Sequence, residues 1–228
     1  MEAKKNIIVF APHPDDETLG CGGTIAKKTR EGYAVFIALL TDGRHAFSKV
    51  LGIESDPSPE ELKKIRKGEV IRAAKILGVA SENIFFLDFE DTKLENDQTR
   101  AEEKISELLK KLAPVEVYFT HPRDANVDHR TANRIVQKCL RDSGLPCTNF
   151  QFSILNKYSR IGPVIERLLG LFKNNAVEVD VSEFLDLKKK AIEEYKSQFS
   201  IISAKQNRPV ERNPNNFLKT EEKFYIAK

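Results

Sequence analysis

Apolar positions follow two alternating patterns along the first two-thirds of the chain. Asn6 to Ala11 (NIIVFA) is a short unbroken apolar run, as expected for a strand buried on both faces. Ala34 to Thr41 (AVFIALLT), Asn83 to Leu87 and Val115 to Thr120 (VEVYFT) repeat that pattern. The segments between them carry apolar residues at helical spacing. They predict helices over Thr18 to Arg30, Ser58 to Leu77, Ala101 to Leu112 and Arg130 to Arg141. Ser58 is the candidate cap of the second helix, Pro59 fits its first position, and Gly78 ends it.

Strands alternating with helices of this length predict an α/β fold: a Rossmann-like, mostly parallel sheet with helices on both faces. The pattern loosens after Asp142. Phe150 to Leu155 and Ala176 to Val181 are expected as strands and Glu183 to Lys196 as a helix. The tail from Ser200 reads as polar, with two prolines. The expectation is one domain over 1–228, with a core at about 5–142 and a region 143–228 that completes the fold and pocket.

Of the 228 residues, 40% are hydrophobic and 31% charged, enough for a full-sized core. The net charge of +3 is interspersed, which gives no electrostatic case for nucleic acid. Lys188 to Lys190 read as the solvated face of a helix. No apolar run is long enough for a membrane span. The three cysteines, Cys21, Cys139 and Cys147, form no CxxC pair, so the default is a reducing cytoplasm without a disulfide framework.

In an open α/β sheet, ligands bind beyond the carboxyl ends of the strands. Two such ends carry dense chemistry. APHPDDETLGCGG follows the first strand and crowds His13, Asp15, Asp16 and Glu17 into five positions. HPRDANVDHR follows the fourth and holds His121, Asp124, Asn126, Asp128 and His129. Each loop alone could be a polar connection into a capped helix. Together they place three of the chain's four histidines at strand ends. His13, Asp16 and His129 would give the three protein ligands of a catalytic zinc site, with the fourth position open.

These motifs resemble the PIG-L/LmbE-like zinc de-N-acetylases. The resemblance rests on APHPDDETLGCGGTIAK at 11–27, TDG at 41–43, Arg66, Glu69 and Ala73 with LGV at 77–79, FLDFEDTKL, DHR at 128–130 and KKKAIEEYKSQF at 188–199. It implies zinc, or another divalent metal such as Fe²⁺, on His13, Asp16 and His129. It implies Asp15 as general base, an N-acetyl amino sugar as substrate, and trimers or hexamers as assemblies. One position departs from the family pattern. Many members carry a histidine three residues before the last ligand, oriented by the neighbouring aspartate; here Asn126 stands there, with Asp128 in place. An amide can donate to an oxyanion but cannot serve as a cationic acid. Acid help to the leaving group is then weakened or moved to His121 or Asp124, which join Arg66 and Asp91 as candidate substrate-binding residues.

Each weaker signal has a structural alternative. Arg66 either binds substrate or pairs with Glu69 on a helix surface. Asp91 either binds a sugar hydroxyl or caps a turn. His45 reads as a solvated loop residue rather than a pocket residue. Gly20, Gly22 and Gly23 read as room for tight helix packing rather than a phosphate loop. The functional alternatives are a hydrolase of another N-acyl amide and a non-catalytic sugar- or nucleotide-binding module.

Overall fold

Five parallel strands carry the frame of the computed structural model, which describes residues 5–154, 176–211 and 213–227. In chain order they are β1 (Asn6–Ala11), β2 (Ala34–Thr41), β3 (Ile84–Phe89), β4 (Glu116–Thr120) and β5 (Thr148–Phe152). Two more strands, β6 (Ala176–Asp180) and β7 (Glu221–Ile226), pair antiparallel and extend the sheet in the order β3-β2-β1-β4-β5-β7-β6. Strand order reverses between β1 and β4, the point at which an open sheet leaves a crevice for ligands.

The alternation along β1 shows why its run is unbroken. Ile7, Val9 and Ala11 join one core layer, with Cys21, Ile25, Val70, Tyr195 and Phe224. Ile8 and Phe10 join the other, with Leu94, Ile105, Leu109, Ile135 and Val136. Helices α1 (Asp16–Arg30) and α3 (Pro59–Ile76) cover the first face, and α4 (Gln98–Leu112) and α5 (Val127–Ser143) the second. The short α2 (Ala46–Leu51) lies in the loop after β2, and α6 (Leu185–Glu193) packs on α1 and α3. Among the described residues no helix is long and apolar enough to cross a membrane.

Local chemistry sets the boundaries. Ser58 caps α3, and a reciprocal bond from Glu61 completes a capping box. α1 begins at Asp16, two residues before the sequence expectation, because the carboxylates of its first turn suit a helix N-terminus. The expected helix from Glu183 to Lys196 is divided. A 3₁₀ turn at Ser182–Phe184 precedes α6, and a separate turn, Lys196–Phe199, follows Tyr195. β5 begins and ends earlier than expected; Leu155, the last residue of that expectation, lies outside the described residues.

Two expectations from composition are overturned. The tail is not merely polar, since it holds β7, whose Glu222 and Phe224 face inward. Lys188 is not solvated. It is 2% exposed, and its ammonium donates to Glu222 at 2.6 Å and to the Leu19 carbonyl at 2.9 Å. Glu222 in turn accepts the backbone N–H groups of Gly23 and Thr24. The pair is thus spliced into the hydrogen-bond ladder of α1. The glycines permit this closeness: a Cβ on Gly20 would stand 2.3 Å from Phe152 and one on Gly23 2.6 Å from Val181.

Candidate metal centre and cavity

Residues 12–17 leave the end of β1 and are held from several sides. The Thr41 N–H and hydroxyl both donate to the Pro12 carbonyl at 2.8 Å. Arg66 donates to the carbonyls of Pro14 and Gly43. Gly43 has φ +65°, and a Cβ there would lie 2.4 Å from the Arg66 guanidinium, which accounts for the glycine of TDG. At the end of β4, the Thr120 hydroxyl donates to the His129 carbonyl at 2.8 Å and Asn133 donates to the Thr120 carbonyl at 2.7 Å. These bonds fix the first turn of α5 against the strand end.

The two loops meet at the switch point. His13 Nδ1 lies 3.2 Å from Asp16 Oδ2 and 3.1 Å from His129 Nε2, and His129 Nε2 lies 3.1 Å from Asp16 Oδ2. Three donors therefore form a nearly equilateral triangle. Two zinc–nitrogen bonds of about 2.0–2.1 Å at a tetrahedral angle span about 3.4 Å, so a divalent cation fits with little adjustment. The outward nitrogens are also engaged. His13 Nε2 lies 3.2 Å from Asp128 and 3.3 Å from Asp91, and His129 Nδ1 lies 3.2 Å from Asp124. Carboxylates behind ligating histidines are the usual support of such sites. His13, Asp91 and Asp128 form a second converging group, sharing His13.

The field of the cluster agrees with its geometry. Burial disfavours a charged His13, but Asp128, Asp16 and Asp91 outweigh it and hold its pKa well above the ordinary value. Burial also opposes charge on His129, yet Asp16 and Asp124 raise its pKa to about 9. Asp16 and Asp91 are buried too, and their histidine partners hold both carboxyls well below the usual range. The carboxylates thus draw positive charge to the point between the two rings.

Asp15 stands apart. Burial pushes its carboxyl well above the usual range, against the pull of Arg66, whose Nη2 lies 3.2 Å away. Its backbone has φ +128°, an uncommon conformation for a non-glycine residue, and its N–H donates to Glu17. Glu17 is fully buried and accepts the hydroxyls of Tyr195 and Thr18. Neither Glu17 nor Tyr195 is among the residues that the sequence assigns to the site. The sequence sets Glu17 in the strand-end cluster without giving it a role, and the signal for Tyr195 is the YKSQ segment.

A cavity of about 180 Å³ opens over this cluster. His13, Asp15, Asp16 and His129 form its floor, and Arg66, Asp91, His45, Lys49 and Asn126 contribute polar walls. Leu19, Val50, Ile154, Val210 and Phe217 contribute apolar ones. Among the sequence candidates, Asp15, Asp16, Arg66, Asp91, Asn126, His13 and His129 line the cavity. Arg66 is buried and faces Asp15, not Glu69, which instead accepts the Ser197 N–H and hydroxyl. Asp91 accepts the His45 N–H at 2.9 Å, and His45, at the position before α2, stands in the cavity wall with its ring 3.1 Å from Glu90 rather than in solvent.

Asn126 caps α5, its Oδ1 accepting the Asp128 N–H at 2.8 Å. That bond fixes the orientation of the amide and leaves Nδ2 available as a donor. The structure sets Asp124 and Asp128 behind the histidines, so Asp128 serves His13 rather than residue 126. His121 lies against Tyr225, ring centroids 4.9 Å apart. Its pKa falls to about 4, through burial first and Arg123 second. Among the described residues neither His121 nor Asp124 lines the cavity.

Comparison with known proteins places this geometry in context. Residues 8–140 match the family model described as PIG-L, GlcNAc-PI de-N-acetylase. The diacetylchitobiose deacetylase of Thermococcus kodakarensis is 32% identical over 200 residues, which cover 86% of this chain and 70% of that protein. A probable N-acetyl-alpha-D-glucosaminyl L-malate deacetylase 2 of Bacillus cereus is 28% identical over 139 residues, 60% of this chain and 61% of that one. The solved N,N'-diacetylchitobiose deacetylase of Pyrococcus horikoshii shares the fold, with a TM-score of 0.72 at 24% identity. That match covers 98% of this chain and 84% of the other.

Proposed function

The chain belongs to the PIG-L de-N-acetylase family, and from that premise we propose a zinc-dependent hydrolase that removes the N-acetyl group from an N-acetylglucosamine-type sugar or glycoconjugate. The observation that carries this reading is the triangle of His13 Nδ1, Asp16 Oδ2 and His129 Nε2, opening on a cavity that Asp15 also lines. A divalent cation bound there supplies Lewis acidity, acidifying water and polarising an amide carbonyl. Zinc suits two imidazoles and one carboxylate; Fe²⁺ fits the same donors.

The chain's own residues supply the rest. Asp15 takes a proton from the attacking water and returns it to the amine as the C–N bond breaks, giving acetate and a free amino sugar. Asn126 donates from Nδ2 to the developing oxyanion. Asp128 and Asp124 hold His13 and His129 in their ligating orientations. Arg66 holds Asp15 and, with Asp91, faces the substrate. The three free cysteines, two of them buried, support a reducing cytoplasmic setting. Assembly into trimers or hexamers rests on the family resemblance alone.

The test is acetate release by zinc-loaded protein across a panel. It contains N-acetylglucosamine, diacetylchitobiose, GlcNAc-inositol, GlcNAc-malate, a nucleotide sugar and N-acetyl amino acids. At least one sugar is expected to be hydrolysed at least tenfold faster than every amino acid. Hydrolysis confined to the amino acids would refute the sugar assignment.

A further inference from the structure

Among the described residues four carboxylates line the cavity, and three are committed. Asp16 belongs to the metal triangle, Asp15 faces Arg66, and Asp91 is divided between His13 and the His45 N–H. The fourth is Glu211, in the wall contributed by the C-terminal region beside Val210 and Phe217. Its backbone is anchored, its N–H donating to the Gln198 carbonyl at 2.8 Å, while Val210 packs with Phe47 and Leu62 in a small separate core. Its side chain is half-buried and, among the described residues, makes no hydrogen bond or ion pair. Among the described residues Arg208 is a cation that acts on it, and its guanidinium donates to the Pro209 and Val50 carbonyls.

A carboxylate on an open cavity wall is hydrated when the cavity is empty, and a ligand hydroxyl can take the place of that water. The same lining holds donors, among them the Lys49 ammonium and the Asn126 amide. A sugar offers hydroxyl donors on its edge and C–H groups on its face. The apolar side chains of Leu19, Val50, Ile154 and Phe217 in the same lining suit that face.

We infer that Glu211 accepts a hydroxyl of the bound sugar and determines specificity at that position. The inference rests on the N-acetyl-sugar reading above. A hydroxyl donating to a carboxylate is a strong, short hydrogen bond. Burial raises the Glu211 carboxyl above its ordinary value, against the pull of Arg208.

The test uses zinc-loaded wild type, Glu211→Ala and Glu211→Gln. Each is assayed on the panel sugar that wild type hydrolyses fastest and on its 3-, 4- and 6-deoxy counterparts. Wild type is expected to lose about tenfold or more in kcat/KM on one deoxy sugar, the worth of a hydrogen bond to a charged group. Glu211→Ala should lose a similar factor on the parent, mainly through KM, and nothing further on that deoxy sugar. Glu211→Gln keeps the size and an acceptor oxygen, so it should show the same non-additivity at smaller amplitude; it carries the test if the alanine variant does not fold. Undiminished deoxy penalties in the variants, or wild-type kcat/KM on the parent, would overturn the inference. If wild type releases acetate from no sugar, the functional reading falls and the inference falls with it.

Discussion

The parallel half of the sheet and the C-terminal third build opposite sides of one cavity by different means. Strands β1 and β4 deliver His13, Asp16 and His129 directly from their carboxyl ends, where the fold itself converges. The C-terminal third supplies no member of that triangle. It contributes Lys188 and Glu222, which grip α1, Tyr195, which reaches Glu17, and the wall of Val210, Glu211 and Phe217. Reaction chemistry therefore depends on topology, whereas its alignment and the shape of the sugar site depend on long-range contacts from the tail.

Variants on the two sides should fail differently. Among variants that keep the metal, the largest effect on turnover is expected from Asp15→Asn, which should lose about 10²- to 10⁴-fold in kcat, the usual worth of a general base. Metal analysis beside kinetics checks this; near-normal turnover would refute Asp15 as the base. On the other side, Lys188→Met strands Glu222 beneath α1. Leaving half of a buried pair costs about 3–5 kcal/mol. A denaturant titration should show that loss, and turnover per folded, metal-replete molecule should fall less than in Asp15→Asn.

A smaller loss sharpens the role of the strand-end loop. Asn126→Ser keeps a good helix cap but withdraws the amide donor. A fall in kcat of about 10²- to 10³-fold with stability retained would mark the oxyanion donor. Wild-type kcat in the folded, metal-replete variant would reduce Asn126 to a cap. The smallest effect is a displacement in pH. Asp15 must be unprotonated to accept a proton, so kcat/KM should rise with pH through its pKa. Arg66 pulls that pKa down, so Arg66→Met should move the ascending limb to higher pH, and Arg66→Lys should move it less. A limb that stays in place in Arg66→Met would break the Asp15–Arg66 link.

The same contrast explains what the sequence reveals. The parallel strands are buried on both faces, so NIIVFA and AVFIALLT announce themselves, and the ligand-bearing loops follow from the strand ends. Three features are hidden. β7 alternates between exposed and buried, and one of its inward residues is Glu222, which counts as polar in any pattern. Lys188 sits within a lysine triplet, and its partner lies 34 residues away. α2 is only six residues long, too short for periodicity, so His45 looks like a loop residue. In each case the missing information is a tertiary partner. The KKKAIEEYKSQF segment carries it as motif rather than pattern: Lys188, Ala191, Tyr195, Ser197 and Gln198 are all buried.

Bound zinc per chain, measured by elemental analysis after zinc loading and dialysis, tests the central claim most directly. Wild type is expected to retain one equivalent, and His13→Ala and His129→Ala are expected to retain almost none and to release no acetate. A wild-type protein that retains no zinc, or histidine variants that retain it in full, would contradict the assignment of the strand-end triangle as the metal centre.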